Sequence, residues 1–160
     1  MVLIGAVLSG TMISSRLKKR VEILEAMEIF ISSVSLEIEF ISLPVYDILR
    51  KTARLESCKG LDFITACLEK MKKGDDFRVS WIYGVDKSLL PFKAEEREKL
   101  KSLGSVIGTS DADGQRAMLS LYKSYFSAFS NKARQDYEKY GKTSITLSAL
   151  LGAGILILMM

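Results

Sequence analysis

The chain has 160 residues, of which 48% are hydrophobic and 26% charged, and its formal net charge is +4 from 23 basic and 19 acidic side chains. This length is enough for one domain with an adequate core, and the charge is too mild and too evenly mixed to indicate nucleic-acid binding. Histidine is absent, which excludes a Ser-His-Asp triad, a Cys-His dyad and an HExxH zinc helix. No GxxxxGKS/T or GxGxxG phosphate loop occurs. The sequence therefore predicts a protein that is not an enzyme and that has no cofactor or metal site.

Charged side chains are confined to the middle of the chain, because residues 1–15 and 143–160 contain no Lys, Arg, Asp or Glu. The basic residues that flank these ends are Arg16, Lys18, Lys19 and Arg20 after the first, and Lys132, Arg134, Lys139 and Lys142 before the second. Cations accumulate on the cytoplasmic side of membrane-spanning helices. We therefore predict an N-terminal transmembrane anchor over residues 1–16, a cytoplasmic helical domain over 17–142 and a C-terminal transmembrane anchor over 143–160. The first stretch is short for a span of about 20 residues, and the alternative is a soluble protein that buries both ends as core helices.

The middle of the chain has helical rather than strand periodicity. The longest stripe predicts a helix that Pro44 ends, and it consists of Leu24, Met27, Ile31, Val34, Ile38 and Ile41, widened by Ile29, Leu36 and Leu43. A second, shorter helix follows Pro44, and a third covers residues 61–73 with Gly74 as its stop. Asp75 or Asp76 is expected to cap a fourth helix that carries Phe77, Trp81 and Val85.

The last two predicted helices are separated by a glycine-containing turn. Glu95 and Glu96 open a fifth helix with Leu100, Leu103 and Ile107 facing inward and Gly108 closing it. Ser110 with Asp113 is a capping-box variant that starts the sixth helix. The apolar stripe expected for that helix is Met118, Tyr122, Tyr125, Phe129, Ala133, Tyr137 and Tyr140. The predicted fold is all-α, an antiparallel six-helix bundle flanked by N- and C-terminal transmembrane helices.

Several residue groups suggest chemistry but have simpler explanations. Cys58 and Cys67 are too far apart along one helix for a disulfide and are predicted to be reduced packing residues. Glu37, Glu39 and Asp47 are interpreted as a solvated face rather than an acid–base site. Residues 111–114 could form a calcium loop, but we favour a helix cap there. A stacking platform is the alternative for Tyr122, Tyr125, Phe129 and Tyr137, for which we favour core packing.

The segment LGSVIGTSDADGQRAML, residues 103–119, resembles a signature of the stage III sporulation protein AB family, Leu-Gly-x-x-Leu-Gly-x-Ser-Asp followed by Gln and Leu. Other segments fit that family in order, namely LEIEF before Leu43-Pro44, Trp81 ahead of Leu89, and the C-terminal stretch with Gly152. The resemblance implies a role in endospore formation. It also implies similarity to the platform F protein of type II secretion and type IV pilus machines, which has a six-helix cytoplasmic domain.

On this resemblance the protein is expected to be a non-enzymatic scaffold in the mother-cell membrane around the forespore, within a secretion-like channel complex that joins the two cells. Its expected partners are a cytoplasmic motor ATPase, other membrane subunits of the complex and membrane lipids, and self-association stays open. The candidate site is the turn that contains Gly104, Gly108, Ser110, Asp111 and Gln115. It is either an interaction surface or a turn that only defines the fold. A second hypothesis for function is a lipid-binding or membrane-sensing helical module that uses the basic flanks.

Overall fold

Every described segment of the chain is a helix, a turn or a short connection, without a strand. The computed structural model describes residues 2–40, 43–107 and 112–141. Its six α-helices are α1 Val2–Phe40, α2 Val45–Thr52, α3 Asp62–Lys72, α4 Phe77–Lys87, α5 Ala94–Leu103 and α6 Ala112–Asp136. A 3-10 turn, Glu56–Cys58, precedes α3, and a π-helical turn, Tyr137–Gly141, follows α6. The all-α prediction is confirmed for these residues. Leu43, the residue before Pro44, is not helical, and Pro44 is the N-cap of α2.

The chain divides into two compact units. The central unit is Ile23–Phe129, and the terminal unit combines Met1–Glu22 with Ser130–Met160. The predicted first anchor over residues 1–16 does not end at a helix boundary, because α1 continues to Phe40. Among the described residues, none of the helices has both the length and the apolar character that a membrane crossing requires. The second predicted anchor, residues 143–160, lies outside the described residues.

An aromatic cluster forms the centre of the central unit. Trp81 on α4 is fully buried, stacked on Phe30 of α1 with ring centroids 6.0 Å apart and edge-on to Phe63 of α3 at 5.3 Å. The indole N–H of Trp81 donates to the carbonyl oxygen of Leu100 on α5 at 2.7 Å, which satisfies its only polar group. Aromatic pairs in these geometries stabilise a core beyond the area they bury. This one side chain therefore joins four helices.

Between α3 and α4, a glycine ends one helix and an aspartate caps the next, as predicted. Gly74 has a φ of 95°, a left-handed conformation that favours glycine. Asp76 is the N-cap of α4, and its Oδ1 accepts hydrogen bonds from the backbone N–H groups of Arg78 at 2.8 Å and Val79 at 3.4 Å. Asp75, the other predicted cap, instead pairs with Lys70.

The buried faces of α1 and α5 differ in part from the predicted stripes. Leu24, Met27, Ile31 and Val34 are buried as expected, together with Ile23 and Phe30. Ile29 and Leu36 were predicted to widen this face, but both are exposed, Leu36 by 56%. Helix α5 ends at Leu103 rather than at Gly108, because residues 104–107 form tighter turns with hydrogen bonds between residues three apart.

The buried face of α6 is shifted by about one residue from the prediction. The buried apolar side chains are Leu119, Tyr122, Phe126 and Ala133. Met118 and Tyr140 belong to the predicted stripe but are exposed. The predicted stripe followed the tyrosines, whereas the packed side of the helix is the one that carries leucine and phenylalanine. The two faces share Tyr122 and Ala133.

The loop between α4 and α5 is held from two sides by polar side chains. The carboxylate of Asp62 accepts hydrogen bonds from the Ser88 hydroxyl at 2.5 Å and the Leu89 backbone N–H at 2.9 Å. On the other side, the Arg97 guanidinium donates to the carbonyl oxygens of Ser88 at 3.3 Å and Leu90 at 3.5 Å. Charge-assisted hydrogen bonds are among the stronger ones in proteins. They fix the backbone of a loop in which Leu89 is 93% exposed.

Candidate interaction surface

Gly104, the first candidate site residue, lies against the indole of Trp81. It caps the C-terminus of α5 with φ −61° and ψ −20°, so its backbone dihedrals are ordinary. A Cβ added to it would lie 2.2 Å from Trp81 Cδ1, which is closer than any real contact. The glycine is therefore required by the close approach of the ring and not by the turn conformation.

Gln115 ties the start of α6 to the same turn. Its side chain is buried, and its Nε2 donates to the carbonyl oxygen of Val106 at 2.8 Å. A buried hydrogen bond of this kind typically contributes about 1 kcal/mol to stability. Gly104 and Gln115 thus hold residues 104–107 against the domain. The other three candidate residues, Gly108, Ser110 and Asp111, lie outside the described residues.

A surface groove of about 410 Å³ lies beside this turn. It is lined by side chains and backbone from α2, α4 and the turn, namely Val45, Asp76, Phe77, Arg78, Gly104, Ser105 and Ile107. The sequence predicted that Phe77 lies on the fourth helix and that Asp75 or Asp76 caps this helix, but it gave no role to Arg78. The groove brings together residues more than fifty positions apart in the chain, so no local pattern could have identified it.

The groove combines the apolar side chains of Val45, Phe77 and Ile107 with polar groups and the guanidinium of Arg78. The carboxylate of Asp76 already accepts the two N–H groups at the start of α4. The guanidinium of Arg78 is exposed and has no hydrogen bond or ion pair within the described part of the chain. Arginine is well suited to bind a carboxylate through two parallel hydrogen bonds. The groove can therefore accept an apolar side chain and a neighbouring carboxylate of another protein.

The carboxylates considered for acid–base chemistry are separated and paired. Glu37 pairs with Lys51 of α2, Glu39 lies 3.4 Å from Arg116 of α6, and Asp47 lies 2.9 Å from Arg50. The three acids pair with three different cations. The side chain of Glu37 is only 15% exposed and so departs from the predicted solvated face, whereas Glu39 and Asp47 are about one-third exposed. Within the described residues, no group of three or more Cys, Asp or Glu side chains is arranged to hold a metal ion.

The tyrosines of α6 take part in packing between helices rather than in an open platform. The hydroxyl of Tyr122 lies 2.9 Å from the Ser102 hydroxyl of α5, and its ring is edge-on to that of Tyr125 at 6.0 Å. The ammonium group of Lys99 lies 4.3 Å from the centre of the Tyr125 ring, within the range of a cation–π contact. These contacts join α5 to α6, as the core-packing interpretation predicts.

Both cysteines are expected to be unreactive while the protein is folded. Cys58 and Cys67 are buried without a disulfide, and burial raises the pKa of both thiols, that of Cys67 to about 12 from 9.0. Since the thiolate is the nucleophile, Ellman's reagent at mildly alkaline pH should release almost no product from the native protein and two equivalents after urea unfolding. Rapid reaction of one equivalent in the native protein, with unchanged circular dichroism, would contradict this arrangement.

Together these features define an all-helical protein whose recognisable surface is a groove beside a packed turn. The chain belongs to the stage III sporulation protein AB family, because the model of that family matches residues 1–160. A solved structure described as stage III sporulation protein AB (SpoIIIAB) has a similar fold, with a TM-score of 0.64 and 21% sequence identity. The match covers 74% of this chain and 96% of the other. Comparison with curated proteins gave no significant match. The family assignment made from the turn segment is confirmed.

Proposed function

We propose that this protein is a non-enzymatic platform subunit of a secretion-like channel complex between mother cell and forespore, and that its central unit docks the cytoplasmic motor ATPase of that complex. Membership of the stage III sporulation protein AB family over residues 1–160 is the observation that supports this proposal most directly. The role requires a rigid domain with a complementary surface and no chemistry of its own. Fixed attachment of such a domain lets it hold a motor in place or transmit its motion.

The groove beside the Gly104–Ile107 turn is the surface that we propose for the motor. Its lining includes the apolar side chains of Val45, Phe77 and Ile107, its shape is fixed by the contact of Gly104 with Trp81, and its rim carries the Arg78 guanidinium. Interfaces typically combine apolar anchors that fill pockets with arginines that meet carboxylates. We therefore expect the motor to insert an apolar side chain flanked by Asp or Glu.

Attachment to the mother-cell membrane is part of the same proposal. Residues 1–15 and 143–160 carry no charge, and cations follow the first stretch and precede the second. This arrangement supports uncharged ends in the membrane and a cytoplasmic helical domain. Cysteine-accessibility labelling of intact sporulating cells tests it, because a domain that reacts with an impermeant reagent from outside the cell contradicts the proposed orientation.

A binding experiment with an Arg78→Glu variant tests the docking surface. The full-length chain, purified in detergent, is titrated with the motor ATPase of the proposed complex. The variant would place a carboxylate against the carboxylate expected on the motor, and juxtaposed like charges weaken an interface, so it should bind at least about tenfold more weakly. Its stability should not fall, because a carboxylate in the first turn of α4 is favourable to the helix dipole.

The matched control is Lys123→Glu, which makes the same change of charge at an exposed position of α6 outside the groove. This variant should bind the ATPase as the unchanged protein does. Equal weakening by both substitutions would show a general effect of charge and reject the groove as the docking site. Absence of any binding by the unchanged chain would reject the motor as its partner.

A further inference from the structure

The net positive charge of the chain lies entirely in the terminal unit. Met1–Glu22 and Ser130–Met160 carry eight of the 23 basic and three of the 19 acidic residues, a net charge of +5. The central unit, Ile23–Phe129, carries the other 15 basic and 16 acidic residues, a net charge of −1. The smaller unit is thus strongly basic although the whole chain is only mildly so. Such segregation favours an anionic partner for one unit alone.

Two contacts fix how the two chain segments of the terminal unit lie side by side. The guanidinium of Arg20 is buried and lies 3.7 Å from the carboxylate of Asp136. Six residues earlier, the hydroxyl oxygen of Ser14 would lie 3.5 Å from a Cβ added to Gly141. Arg20 lies beside Asp136 and the earlier Ser14 lies beside the later Gly141, so α1 runs antiparallel to the end of α6 and the turn that follows it. This register brings the cations of both segments onto one two-helix stretch.

Three cations on this stretch, Arg16, Lys18 and Lys132, are exposed and have at most a weak ion pair within the described residues. Arg16 and Lys132 have no ion pair within the described residues, and the ammonium group of Lys18 lies 4.0 Å from Glu22. Exposed ion pairs at that distance contribute little. These side chains can therefore exchange their present surroundings for an external anion at small cost.

Exposed apolar side chains lie next to the cations. Met12 is 58% exposed and Ile13 50%, one turn of α1 before Arg16. Tyr140, 54% exposed, is at about the level of Arg16 along the antiparallel pair, and the ammonium group of Lys139 lies 5.2 Å from its ring centre. Cations beside exposed aliphatic and tyrosine side chains are the pattern of protein surfaces that rest at the boundary between headgroups and acyl chains.

We propose that the terminal unit binds the anionic headgroups of phospholipids, with its cations on the phosphates and Met12, Ile13 and Tyr140 at the acyl boundary. The proposal concerns a surface and a partner different from those of motor docking, so either can fail without the other. It also predicts a preference for anionic over zwitterionic membranes, which apolar ends alone would not produce.

Flotation of the full-length protein with vesicles tests this preference. Vesicles of phosphatidylcholine alone are compared with vesicles that also contain phosphatidylglycerol, and the protein should bind the second kind more tightly, less so at high salt. Each Lys or Arg near an anionic surface strengthens binding about fivefold, so Arg16→Gln, Lys18→Gln and Lys132→Gln together should weaken it on the order of a hundredfold. Circular dichroism checks that the variant is folded.

The control is the triple variant Lys72→Gln, Lys73→Gln and Lys87→Gln, which removes the same charge from exposed positions of the central unit. It should bind phosphatidylglycerol vesicles like the unchanged protein. Equal weakening by both triple variants, or equal binding of the unchanged protein to both kinds of vesicle, would overturn the proposal. So would release from vesicles by inorganic phosphate at an ionic strength at which chloride does not release the protein. Tighter binding of a short DNA duplex through the same three cations would also overturn it.

Discussion

Replacing Gly104 with alanine is expected to lower the free energy of unfolding of the central unit by about 3 kcal/mol. The added Cβ would lie 2.2 Å from Cδ1 and 2.7 Å from Cγ of the Trp81 indole, a ring that is fully buried and cannot swing into solvent. Either the ring leaves its stacked position on Phe30 or α5 moves away from α4. Urea titration of the full-length chain, followed by the fluorescence of its single tryptophan, measures the loss.

Gly60→Ala is the matched control for this prediction. Nothing lies within 4 Å of a Cβ added at Gly60, and its φ is not in the left-handed region. This variant should be as stable as the unchanged protein or slightly more stable, by up to about 1 kcal/mol, because alanine restricts the unfolded chain. If the two variants unfolded at the same urea concentration, the close contact between Gly104 and Trp81 would be disproved.

Phe63→Ala is expected to cost about 4 kcal/mol, in the range of large aromatic truncations in protein cores. The ring of Phe63 is fully buried and edge-on to three others, Phe30 at 6.1 Å, Trp81 at 5.3 Å and Phe92 at 6.4 Å. Its removal leaves a cavity that the helices on each side cannot fill, because they are held apart by Trp81. Thermal unfolding followed by circular dichroism of the full-length protein measures the effect.

Phe92→Ala gives the comparison within the same cluster. Phe92 is only half-buried, in the connection that precedes α5, and of these rings it contacts that of Phe63. Its truncation should cost clearly less than that of Phe63, since less apolar area is returned to water. Equal destabilisation by the two substitutions would place the centre of the core elsewhere than at Trp81 and Phe63.

Helix boundaries could be predicted well where a local chemical rule sets them. Pro44 disfavours helical dihedrals in the residue before it, Gly74 adopts a positive φ, and Asp76 accepts the free N–H groups of α4. The predicted end of α5, at Gly108, was wrong. Leu103 and Ile107 are both buried as in a continuing helix, but the backbone between them tightens into turns. Burial alone does not distinguish a continuing helix from such a turn.

The choice between competing apolar faces could not be made from the sequence. Leu36 and Met118 have the spacing of core positions and are exposed, because the neighbours that cover a face come from distant parts of the chain. The same reason limits the prediction of the candidate surface. The family signature pointed to Gly104 and Gln115, but not to Trp81 as the ring that requires the glycine or to Arg78 on the rim of the groove.

The clamped loop between α4 and α5 makes Leu89 a favourable position for attaching a reporter group. Loops usually move independently of the helices that they connect, but Asp62 and Arg97 bind this backbone to α3 and α5. A spin label or fluorophore at a Leu89→Cys substitution would then follow the tumbling of the whole central unit. Because Cys58 and Cys67 are buried, the introduced thiol would be labelled selectively in the folded protein.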